Sequence, residues 1–188
     1  MAIKTISNLE SIVSSKCNFD NQSILITAPM GVGRELFLTS VIINLLENGK
    51  KVLLLNSEIK FISLCEPYRV LIKENKSSAK LDRENTFINL FSDEPFCMMN
   101  NNKFEKIFFN LYNSNIDYFE NNTPYLIIED IWQYNKLSSL ISELAIFKKT
   151  IIIVSTVKNS DTSIFFNNGF FKQQITINEK GVASYSVL

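Results

Sequence analysis

Ser23-Ile24-Leu25-Ile26-Thr27-Ala28-Pro29-Met30-Gly31-Val32-Gly33-Arg34-Glu35 is the stretch on which the fold turns. An apolar run, Ile24 to Thr27, reaches a glycine-bearing turn. Beyond it Phe37, Val41 and Leu45, with Leu38, Ile42 and Leu46, recur at spacings of three and four, which predicts a helix from about Arg34 to Asn48. Gly49 stands where a left-handed residue closes such a helix, and Lys50 and Lys51 lead into a second apolar run, Val52 to Leu55. Strand, loop, helix, strand is the order of a phosphate-binding βαβ unit, in which backbone N–H groups at the helix start surround an anion.

The side chains of that unit are altered. Laid on Ala28 to Glu35, the pattern G-x-x-x-x-G-K-[ST] keeps its second glycine as Gly33, with Gly31 inside the loop. Ala28 replaces the first glycine, Arg34 the lysine and Glu35 the hydroxyl residue. A planar guanidinium suits bidentate contacts and is a poor substitute for the compact ammonium that reaches terminal phosphates. A carboxylate about 4 Å from a phosphate charge costs on the order of 4 kcal/mol at an effective dielectric of ~20. That is roughly a thousandfold in affinity unless the side chain swings away. In the first helical turn the same carboxylate gains about 0.3 to 1 kcal/mol from the dipole, so Glu35 can take, in charge terms, the anion site that ATP would use. The expectation is a vestigial nucleotide site at Gly31, Gly33, Arg34 and Glu35, joined from the later strands by Glu58, Asp130 and Ser155, with no catalytic residue and no metal, and with ATP and Mg²⁺ not the favoured occupants.

A chain of 188 residues with 46% hydrophobic residues supports one sizeable core, and a single domain over 1–188 is expected. Lys+Arg and Asp+Glu are equal at 19 each, so no global field attracts nucleic acid or an anionic membrane. RNA contact would have to come from a local patch or from partner subunits. Histidine is absent, which removes the commonest general base and metal ligand. Cys17, Cys65 and Cys97 lack C-x-x-C spacing, as expected of reduced thiols in a cytosolic or nuclear protein. No signal peptide and no apolar run near membrane-spanning length is evident.

Along the chain, Ser7-Asn8-Leu9-Glu10 has the form of a capping box and opens a short helix to about Ser15. Glu58 follows the second strand. It is either an acid that activates water beside a competent phosphate site or the first-turn acid of a helix around Ile59 to Cys65, ended by Pro67. Lys73 to Asn85 reads as a polar excursion and Thr86 to Phe91 as a third strand. Phe104, Ile107, Phe108, Leu111 and Tyr112 predict a helix from near Asn102 whose apolar face packs on the sheet, and Asn121 to Pro124 a turn. Tyr125 to Ile128 is an apolar strand ending in Glu129 and Asp130. Asp130 either binds Mg²⁺ through water or simply ends a buried strand in solvent. Leu137, Leu140, Ile141 and Leu144 mark a further helix, and Thr150 to Val154 a strand ending in Ser155-Thr156, where a polar sensor would stand. Phe171 to Ile177, Asn178-Glu179-Lys180-Gly181 and Val182 to Val187 predict a closing hairpin.

This order resembles the RecA-like ATPase fold over nearly the whole chain. The resemblance implies an α/β three-layer fold with a mostly parallel central sheet, helices on both faces and a C-terminal β-hairpin. Asp130-Ile131-Trp132-Gln133 and Ile151 to Ser155 look like the corresponding strands of DnaB-type helicases, although the hairpin turn lacks the paired Lys and Arg of such hexamers. The chain is also similar to the accessory RecA-like subunits of eukaryotic Elongator, above all the sixth. The similarity lies in Asn8-Leu9-Glu10-Ser11-Ile12, the altered loop, Tyr125 to Asp130, Thr150 to Thr156 and Gln174 to Val182. It implies a non-catalytic subunit of a hetero-hexameric ring of RecA-like subunits that supports wobble-uridine modification of tRNA. The alternative is an ATP-binding or weakly hydrolysing P-loop protein of DNA replication or repair, with Arg34, Glu58 and Asp130 in altered roles.

Overall fold

Apolar runs without alternation form strands that are covered on both faces, and the centre of the sheet is built from them. The computed structural model describes residues 23–29, 31–56, 69–73, 80–82, 84, 86–91, 101–122, 124–128, 146–147, 150–157 and 170–187. In chain order these form β1 (Ile24–Ala28), α1 (Arg34–Glu47), β2 (Val52–Asn56), β3 (Arg69–Lys73), β4 (Phe87–Phe91), α2 (Asn101–Ser114), α3 (Ile116–Asn122), β5 (Tyr125–Ile128), β6 (Ile151–Val157), β7 (Gln173–Ile177) and β8 (Ala183–Val187). They make an eight-stranded sheet in the order β3-β4-β2-β5-β6-β1-β7-β8. Every neighbouring pair is parallel except β7 and β8, which are antiparallel.

The α1 side chains Phe37, Leu38, Val41, Ile42, Leu45 and Leu46 pack with Ile24, Ile26 and Ala28 of β1 and with the same-face residues Val52, Leu54, Ile127 and Ile153 of its neighbours. Leu25, Leu53, Leu55, Leu126, Ile128 and Ile152 alternate with these, so they face the other way, and they are just as buried. Connection direction explains the double cover. The chain passes from β1 to β2 in one direction along the sheet and from β4 to β5 in the opposite one. Right-handed crossovers then place α1 on one face and α2 with α3 on the other.

Helix α1 ends as its sequence predicts. Gly49 has φ 70, its N–H donates to the Leu46 carbonyl at 3.0 Å, and the Lys50 N–H donates to the Leu45 carbonyl at 2.9 Å. That pair of bonds is the Schellman closure. The hairpin forms where expected: the Gly181 N–H donates to the Asn178 carbonyl at 2.9 Å, and the Asn178 side-chain oxygen accepts from Lys180 N–H at 2.9 Å and Val182 N–H at 3.0 Å.

Several expectations change. β3 lies in a stretch given no strand by its sequence. Asn121 and Asn122 finish α3 instead of forming a turn. α2 and α3 are separated at Asn115, which is buried. Its Nδ2 donates to the Leu111 carbonyl at 2.9 Å, while its Oδ1 accepts from the Leu81 N–H at 2.8 Å. Of the predicted face of α2, Leu111 is buried and Ile107 and Tyr112 are half-buried, while Phe109, off that face, is 61% exposed. Tyr112 and Phe119 meet Phe147 at ring-centroid distances of 5.3 and 4.9 Å. The helices expected at Ser7 to Ser15, Ile59 to Cys65 and Leu137 to Leu144 lie outside the described residues. Among those described, no helix is long and apolar enough to cross a membrane.

Candidate functional site

Two neighbouring strands of a parallel sheet whose onward connections leave in opposite directions open a crevice at their carboxyl ends. β1 and β6 are such neighbours: the chain leaves β1 towards β2 and leaves β6 towards β7, on the far side of β1. β1 ends there at Ala28, and Gly33 caps α1, which starts at Arg34. The strand before the loop is buried throughout, and the helix after it buries one face.

Two glycines between the strand and the helix take the left-handed backbone. Gly31 has φ 74 and Gly33 φ 91 with ψ 24, and α1 starts at Arg34. A side chain at either φ would cost about 1–2 kcal/mol, which ties glycine to both positions. The first bond into the helix runs from the Phe37 N–H to the Gly33 carbonyl at 3.0 Å. The N–H groups ahead of it therefore have no carbonyl within the helix and mark the anion-attracting end.

The side chains do not restore what the loop lost. Arg34, at the lysine position, is buried, with 9% of its surface exposed. Glu35 is exposed and its carboxylate makes no hydrogen bond or ion pair to the other described residues; only its carbonyl is used, accepting from the Thr39 hydroxyl at 2.9 Å. The Glu35 side chain is turned to water and, among the described residues, makes no hydrogen bond to the first-turn N–H groups. Its charge is then felt through solvent, where a pair about 4 Å apart exchanges about 1 kcal/mol instead of 4.

The strands leading to the other candidates converge on the same edge. β6 lies between β1 and β5, and β2 lies beside β5. Ser155 is level with Ile26 and falls within β6, which continues to Val157 opposite Ala28, so Ser155 and Thr156 do not terminate that strand. Ile128 pairs with Val154 and Leu55. Asp130 and Glu58, which follow β5 and β2 in the chain, lie outside the described residues, as does Glu129. Among the described residues no group of His, Cys, Asp and Glu is placed to hold a metal ion.

A feature with no signal in the sequence lies beside the loop root. Thr27 is buried, its hydroxyl donates to the Thr176 hydroxyl at 3.3 Å, and it accepts from Gln174 Nε2 at 3.4 Å. Only the pairing of β1 with β7 brings these residues together.

No protein-family model matches the chain, and no curated protein matches it. Solved structures do, and 239 chains are similar to it. The genome packaging NTPase B204 of Sulfolobus turreted icosahedral virus 2, in complex with ATP-gammaS, superposes with a TM-score of 0.59 at 14% identity over 86% of this chain and 76% of that one. Flagellar accessory protein FlaH of Methanocaldococcus jannaschii superposes with a TM-score of 0.53 at 10% identity over 92% of this chain and 77% of that one. At such identities the likeness is one of fold. The fold is that of the RecA-like P-loop ATPases, mostly parallel and closed by an antiparallel strand pair.

Proposed function

We propose that this chain is a non-catalytic RecA-like subunit of a ring-shaped hetero-oligomer, the Elongator accessory subcomplex that supports tRNA wobble-uridine modification. The observation that carries its non-catalytic part is the first turn of α1. A buried arginine stands where a lysine must reach phosphates, and a carboxylate stands where a hydroxyl must hold Mg²⁺. RecA-like domains that share nucleotide across subunit faces can lose their own chemistry and still complete a ring. The Elongator assignment rests on the sequence resemblance. No nucleotide or metal is needed in this role, and its place is the cytoplasm and also the nucleus.

Titration of the purified chain with labelled ATP and Mg²⁺ is expected to show no sub-millimolar binding and no phosphate release. Mass measurement of the intact co-purified assembly is expected to return other RecA-like subunits. The second function, an ATP-binding P-loop protein of DNA replication or repair, is favoured by the retained φ values of Gly31 and Gly33 and by the outward Glu35. Sub-millimolar ATP binding that Arg34→Ala abolishes, together with a DNA-repair partner in the assembly, would establish it instead.

A further inference from the structure

We draw no further inference here: the strongest candidate, the exposed apolar pair Phe109 and Ile116 on the α2–α3 surface, carries nothing because nothing in the structure shows what covers it.

Discussion

Glu35 and Tyr118 show how much depends on where a polar atom points. The Glu35 carboxylate faces solvent, so its repulsion of a triphosphate is limited to about 1 kcal/mol for each phosphate charge nearby. Glu35→Thr is expected to strengthen ATP binding by only about fivefold per such charge, measured by titration against the parent chain. A thousandfold gain would show that the carboxylate lies over the loop mouth. Tyr118 is the opposite case: its hydroxyl is buried without a hydrogen-bond partner among the described residues, and burial pushes its pKa from 10.0 up to about 12. The unfolded chain gives up that proton near pH 10 and the folded chain only near 12, so this contribution is intact below pH 10 and is lost as pH rises through that window. Tyr118→Phe should flatten the alkaline loss of stability in urea titrations and leave the neutral-pH midpoint unchanged or raised, because an unpartnered donor is removed from the core.

At the scale of elements, Asn115 has more to do than its loop position suggests. It closes α2, opens α3 through its carbonyl, which accepts from Tyr118 N–H at 3.0 Å, and fixes the backbone of Leu81. Asn115→Ala should cost about 1–3 kcal/mol, read as a lowered melting temperature, since it strands buried backbone groups. Gly49→Ala meets nothing within 4 Å, so its expected cost of about 1–2 kcal/mol comes from the left-handed backbone alone and should leave any ligand binding unchanged. These two devices differ in legibility. Gly49 follows a run of helical apolar spacing and can be placed from sequence, as can β1, β2, β4, β5, β6 and the hairpin, whose apolar runs are bounded by turn residues. β3 could not be placed, because Arg69 and Lys73 bracket only Val70, Leu71 and Ile72, too short a run to set a period. The α2–α3 break was equally hidden: it depends on Leu81, far away in sequence, and α3 carries the Asn-Asn pair that locally signals a turn. Of the candidate site, the loop glycines and the strand order were legible. The burial of Arg34 and the Thr27–Thr176–Gln174 contacts were not, because they depend on which strand lies beside β1.

For the whole molecule, sheet order sets what can be lost and what must stay. The crevice between β1 and β6 follows from the directions of the connections and would persist with any side chains in the loop. Joint replacement of Ala28→Gly, Arg34→Lys and Glu35→Thr is therefore expected to create measurable Mg²⁺·ATP binding in the purified chain. If calorimetry shows none while the fold is retained by circular dichroism, the loop has also lost its shape. The same sheet bears on the proposed ring: assembly should survive Arg34→Ala, observed as an unchanged mass of the intact complex, because the subunit faces do not depend on that grip. One property of α1 reaches further. Its anchoring residues, Phe37 to Leu46, are buried against β1 by forces indifferent to any ligand. Such an architecture separates carrying the frame from displaying the loop tips, so side chains at the mouth can be exchanged while the body that presents them endures.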